Sequence, residues 1–224
     1  MLYDEKAVRE NLRSRREGRV FYLGRNDTLT PSARDLLRRE GIPILPAEEA
    51  RPQRWQLPGG GYMEEKPEHM TCLMGDLLVP KTHPRIRFRG AIDTLEAELL
   101  LCGPETDQVL SLARRLIRCE VLNEPVGEFT LYGLTEAEQR RRSQLPQDYY
   151  GIPHFMPDYR DSEPVLRLNR CRCAAREAEL AACEAFLTPD GTLQREDIVR
   201  ALNRMSSMLY ILMLRHKAGR EGKV

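Results

Sequence analysis

The C-terminal part of this chain repeats apolar residues at a spacing that a buried helix explains. From about Arg195 to His216, Ile198, Ala201, Leu202, Met205, Leu209 and Leu212 recur three and four residues apart, which places them on one helical face. Three more segments read the same way. One runs from about Ile92 to Leu101. The second runs from about Glu105 to Leu122, with Val109, Leu112, Leu116 and Val121 facing inward. The third, Pro164 to Phe186, is rich in alanine. Helices with long apolar faces must bury them against one another. The expectation is a mainly α protein, an antiparallel bundle of four to five helices.

The rest of the chain punctuates this pattern. Residues 1–50 read as a small N-terminal α/β extension. Arg19 to Leu23 is a strand candidate, and Thr30-Pro31 supplies a cap and a first-turn proline for a helix that Gly41 ends. Ile42 to Leu45 is a second strand, weakened by Pro43. Residues 51–224 form the helical domain. Across the boundary, residues 46–90 are rich in Pro and Gly and read as loop, with Gly59-Gly60-Gly61 as a flexible hinge lacking the spacing of a phosphate-binding fingerprint. Residues 123–163 read as irregular, apart from one short polar helix in TEAEQRRRS.

Composition excludes several classes. Lys and Arg total 35 against 34 Asp and Glu, a net charge of +1. That leaves no global footprint for nucleic acid, despite the run Arg140, Arg141, Arg142. The longest apolar stretch, MSSMLYILML, is about half of a membrane span, and the charged N-terminus is no secretory signal. Six cysteines without a Cys-x-x-Cys pair fit a reduced, cytoplasmic protein.

One feature stands apart from the apolar pattern. Arg172, Arg176 and Glu179 fall at i, i+4 and i+7, a single charged stripe on the alanine-rich helix. Ala174, Ala178, Ala181 and Ala182 are small neighbours that let another helix approach. Spacing alone leaves two readings open. The stripe is a solvated face, or it is the wall of an anion site, where paired guanidinium groups fork onto phosphate oxygens.

Three segments in order resemble the PduO-type corrinoid adenosyltransferases, and more closely their ethanolamine-utilisation, EutT-type relatives. VPKTHPRIRFRGAIDTLEAEL resembles the lead from a phosphate-binding loop into the first helix, with Gly90, Asp93 and Leu95 meeting its Gly-x-x-Asp-x-Leu pattern. Arg172, Arg176 and Glu179 match the Arg-x-x-x-Arg-x-x-Glu of the nucleotide helix. Leu202, Asn203 and Arg204 match the Leu-Asn-Arg of the last helix. EEKPEHMTCL, GIPHF and LTPSARDLLRREGI add to the EutT-type likeness, which spans about residues 20–215.

The resemblance implies transfer of the 5′-deoxyadenosyl group of ATP to reduced cobalamin, cob(I)alamin, for an ethanolamine ammonia-lyase. It implies nucleotide binding by a loop over residues 58–90, with Thr71 and Lys81, and by Arg176, Glu179 and Asn203, with Mg²⁺ accompanying ATP. Arg172 would act on the departing triphosphate, with Asp93 as the partner that orients it. Phe155, in the corrinoid-side segment 123–163, would displace the lower axial ligand of cobalt. The expected assembly is a homo-oligomer, a trimer ahead of a dimer, served by an electron donor and sited in the cytoplasm or a bacterial microcompartment. In one respect the chain departs from its relatives. Some carry a His followed twelve residues on by adjacent cysteines; counting from His69 lands on Lys81 and Thr82, and the third cysteine position is Arg85. His69, Cys72 and His83 are the remaining ligand candidates, and a metal-independent subgroup is the expectation. A different class stays in view: a non-catalytic corrinoid-binding or microcompartment-associated scaffold protein, acting through its N-terminal unit.

Overall fold

A computed structural model describes residues 1–14, 20–47 and 54–219. The protein is mainly α-helical with small sheets. It divides into two compact units, Met1–Pro80 and Lys81–Val224. The domain boundary expected at residues 50 and 51 lies outside the described residues.

The first unit opens with β1 (Leu2–Tyr3), α1 (Glu5–Ser14), β2 (Phe21–Leu23), β3 (Thr28–Leu29), α2 (Pro31–Arg39) and β4 (Ile44–Pro46). The Thr30 hydroxyl accepts the Ala33 N–H at 3.3 Å and Pro31 opens the helix, the capping chemistry expected. Gly41 lies beyond the helix end at φ +65, where a Cβ would be strained. β1 pairs in parallel with β3, and β2 with β4. Ala33, Leu36 and Leu37 bury against Phe21 and Ile42 in a small core. β4 starts at Ile44 rather than Ile42, because Pro43 has no N–H for a ladder; its carbonyl instead accepts the Phe21 N–H at 2.9 Å. Arg19, expected to begin the first strand, lies outside the described residues.

The Pro/Gly-rich segment departs from the loop expected of it. It carries β5 (Trp55–Gln56), β6 (Tyr62–Met63), β7 (Met70–Met74) and β8 (Leu77–Pro80), in one sheet ordered β6-β5-β8-β7. The three glycines form a hairpin turn rather than a hinge: the Leu57 N–H donates to the Gly61 carbonyl at 3.1 Å, with Gly60 and Gly61 at positive φ.

The second unit holds α3 (Pro84–Cys102), a 3-10 turn (Pro104–Thr106), α4 (Asp107–Leu122), the β9–β10 hairpin (Thr130–Leu131, Leu134–Thr135), α5 (Glu136–Gln144), α6 (Pro146–Tyr150), α7 (Glu163–Phe186) and α8 (Glu196–Lys217). α3 begins about two turns before the expected Ile92. The cause is local: His83 Nδ1 accepts the Arg85 N–H at 3.2 Å and Pro84 takes the first helical position. Partial burial, then the nearby Arg85 and Arg89 charges, hold the His83 pKa below its ordinary value. A folded-state pKa below the unfolded one costs stability as pH falls through about 6.5 toward the folded value, and protonation also removes the Nδ1 acceptor. Thermal melting between pH 7.5 and 5.5 should therefore fall further for the wild type than for His83→Asn, which caps without titrating.

Ion pairs fix the helix directions. Arg85 and Arg89 reach Glu120, while Arg114 reaches Glu96, so α3 and α4 run antiparallel. Arg87 pairs with Glu184 and Arg170 with Glu98, each at 3.0 Å, so α3 and α7 do too. One apolar core joins α3, α4, α7 and α8 through residues such as Phe88, Leu116, Leu168 and Leu209. Val121, expected inward, is 37% exposed, and Glu120 takes the buried place at 0%. Position 120 is four beyond Leu116, where the helical period points inward.

α7 meets its neighbours through Ala174, Ala175, Ala178 and Ala182, all buried. Ala178→Leu should overpack this contact by about 1–3 kcal/mol, lowering Tm by several degrees. No helix among the described residues is long and apolar enough to cross a membrane.

Candidate functional site

The charged stripe on α7 lies against a matching stripe on α8. Asn203 Nδ2 donates to Glu179 Oε1 at 2.8 Å, and Arg204 donates to Asn203 Oδ1. One end along, the Arg172 guanidinium carbon sits 5.6 Å from the centroid of the Tyr210 ring. Residue 172 meets 210 and residue 179 meets 203, so the two helices run antiparallel. Seven residues separate the ends of each stripe, about 10 Å along the axis.

The arginines of α7 divide into two kinds. Arg167 is paired with Glu163 at 2.6 Å and Arg170 with Glu98 at 3.0 Å. Arg172 and Arg176 pair with no carboxylate among the described residues. Arg172 is half-buried and Arg176 exposed. Arg204 is a third cation close by. Burial, reinforced by the Arg140 charge, lowers its pKa, and its buried Nε has no hydrogen-bond partner. Among the described residues this corner carries more unsatisfied positive hydrogen-bonding capacity than its carboxylates neutralise, which suits a multiply charged anion.

The irregular segment before α7 reaches the same end of α8. The Phe155 N–H donates to the Tyr210 hydroxyl at 3.1 Å, and the two rings stack 5.6 Å apart. His154 stacks on Tyr210 at 5.8 Å, with its Nδ1 3.4 Å from the hydroxyl and its Nε2 3.0 Å from the Gln144 carbonyl. One proton arrangement satisfies this chain: Nε2–H donates to Gln144, leaving Nδ1 to accept from Tyr210. The Phe155 ring centroid also lies 4.3 Å from the Lys217 ammonium, which Asp161 binds. Met156 and Tyr159, next in the segment, are 89% and 86% exposed. An apolar, aromatic surface thus adjoins the cationic one.

The remaining sequence candidates are placed as follows. Lys81 is exposed, three residues before α3. Asp93 is exposed on α3 and forms no ion pair with Arg172 or Arg176. Thr71 and Cys72 lie in β7 of the first unit, and His69 just before it is exposed. Among the described residues no group of three His, Cys, Asp or Glu side chains is placed to hold a metal. His83 has committed Nδ1 to its helix cap. Two residues escaped the sequence reading. Tyr210, 9% exposed, looks like one more apolar position; the available signal was its place seven residues after Asn203. Glu120 reads as surface charge, and only the arginines of another helix reveal its burial.

The sequence model of the family described as cobalamin adenosyltransferase matches residues 61–216. The chain is 29% identical over 229 residues to the corrinoid adenosyltransferase EutT of Salmonella typhimurium strain LT2, covering 88% of this chain and 86% of that protein. It is 28% identical over 233 residues to the EutT of Escherichia coli strain K12, with the same coverage.

Proposed function

The chain belongs to the cobalamin adenosyltransferase family, and from that membership we propose that it moves the 5′-deoxyadenosyl group of ATP onto the cobalt of cob(I)alamin, releasing triphosphate. Adenosylcobalamin would go to an ethanolamine ammonia-lyase, in keeping with the EutT relatives. The observation that carries the reading is the pair Arg172 and Arg176, left without carboxylates among the described residues on a helix whose other two arginines, Arg167 and Arg170, are paired.

The reduced cobalt is itself a strong nucleophile. Attack at C5′ needs no general base, and the protein supplies position and charge. Arg172 and Arg176 bind the triphosphate and stabilise the negative charge it gains as the C5′–O bond breaks. Lys81 adds a third cation. Asn203, held by Glu179 and Arg204, presents a fixed amide to the nucleotide. Magnesium keeps several waters and binds through phosphates plus one or two carboxylates; Glu179, half-buried beside Asn203, fits that demand, and the ion would neutralise phosphate charge. Asp93 orients Arg172. The expected homo-oligomer, a trimer ahead of a dimer, would set Asp93 of one copy beside Arg172 of another.

The helices α3, α4, α7 and α8 make up the antiparallel bundle that carries this site. At its corrinoid side, Phe155 packs beneath the ring and displaces the lower axial ligand, with Met156 and Tyr159 extending the apolar surface. An electron donor reduces the cobalt, in the cytoplasm or a microcompartment.

The test is direct. Protein, ATP, Mg²⁺ and chemically reduced cobalamin should give the spectrum of a light-sensitive adenosylated product. Corrinoid binding without conversion would instead support the scaffold reading.

A further inference from the structure

Tyr210 touches both halves of the proposed site. Its ring lies under the Arg172 guanidinium and against Phe155, and its hydroxyl accepts the Phe155 N–H while facing His154 Nδ1. Two chemical details set this residue apart from a packing aromatic. A phenylalanine would fill the same space, yet the hydroxyl of this nearly buried residue finds both partners in the two consecutive residues His154 and Phe155. A buried hydroxyl loses free energy unless it is bonded, so these bonds pin the segment to α8. The ring also holds Arg172 differently from a carboxylate. A carboxylate would occupy the guanidinium N–H groups, whereas a ring face attracts the cation and leaves its planar donors available for an anion.

We propose that Tyr210 is a positioning residue that couples the triphosphate arginine to the corrinoid-side Phe155, a role that rests on the adenosyl-transfer reading. Its ring sets where Arg172 presents its donors. Its hydroxyl sets where Phe155 stands. A change at either contact therefore reaches the other through a single side chain. The chemistry explains why the last helix, otherwise aliphatic at this level through Leu209, Ile211 and Leu212, carries a phenol there.

Two variants of the full chain separate ring from hydroxyl. Tyr210→Phe keeps the ring under Arg172 and removes the partner of the Phe155 N–H. Tyr210→Leu removes both. The readouts are melting temperature, ATP affinity by calorimetry in the absence of corrinoid, and kcat with the KM for each substrate. For Tyr210→Phe, ATP affinity should stay within about twofold of wild type while kcat/KM for corrinoid falls about tenfold, the loss of one hydrogen bond. For Tyr210→Leu, ATP affinity should also weaken, about fivefold. The proposal is overturned if Tyr210→Phe leaves the corrinoid parameters unchanged. It is equally overturned if both variants lower the ATP and corrinoid terms together in proportion to a loss of melting temperature, the mark of a merely structural residue. Should the wild type bind ATP yet adenosylate nothing, the functional reading fails by itself; an unchanged ATP affinity in Tyr210→Leu would then overturn the Arg172 contact independently.

Discussion

Arg172→Ala should lower adenosyl transfer by about 100-fold or more while leaving the melting temperature within a few degrees of wild type. Removing one donor aimed at developing negative charge costs about 10²–10³ in kcat. The folded state loses little, because among the described residues Arg172 has no carboxylate to strand. Its contact there is with the Tyr210 ring, worth about 0.5–1 kcal/mol at a partly exposed site. That difference corresponds to roughly 1–4 °C in a chain of this size. Steady-state kinetics beside a thermal melt decide the matter. A large fall in Tm would make Arg172 a structural residue, and unchanged kinetics would return the stripe to solvent.

Glu120→Ala should act in the opposite sense, with stability as the primary loss. Glu120 is wholly buried, and its two carboxylate oxygens are taken by Arg85 Nε at 2.6 Å and Arg89 Nε at 2.8 Å. Arg85 also donates to the Glu120 carbonyl at 3.2 Å. Removing one member of such a cluster leaves like charges facing each other in a poorly solvated place and costs about 3–5 kcal/mol. A fall of about 10 °C in Tm is expected. Replacing Arg85, Arg89 and Glu120 together by apolar residues of similar volume should recover most of it, since the penalty lies in the unpaired charge rather than in the absence of an ion pair. Recovery by the triple variant, set against the single one, separates these two causes.

Glu120 also shows where the sequence stops being readable. Its period points inward, but a carboxylate is ordinarily placed outside, and its partners sit on α3, far away in sequence. The sequence reading puts Val121 inward, and the structure gives that place to Glu120. His83 and Pro84 misled in another way: His-Pro among prolines and glycines resembles loop, yet it caps α3. The strands β5 and β6 are two residues long, too short for alternation to register. What periodicity could reach, it reached. α7 and α8 fall within a residue or two of their expected spans, and the α5 helix stands where TEAEQRRRS suggested, opened by a Thr135–Glu138 capping box. In the candidate site, the stripe of Arg172, Arg176 and Glu179 is visible in the sequence because i, i+4 and i+7 spacing is a local property of one helix, whereas Asn203 enters only through the resemblance of Leu202, Asn203 and Arg204 to the Leu-Asn-Arg pattern. Tyr210 is visible in neither way, because its significance depends on what faces it from α7 and from the segment holding His154 and Phe155.

The central claim is that the open arginines of α7 receive a triphosphate. Its most direct test is a calorimetric titration of ATP into wild type and into the Arg172→Ala, Arg176→Ala double variant, with AMP as the control ligand. The account predicts that wild type binds ATP well and AMP weakly, and that the double variant loses ATP affinity by about 100-fold while retaining its melting temperature. Equal ATP binding by the two proteins would contradict it and leave the stripe as a solvated face.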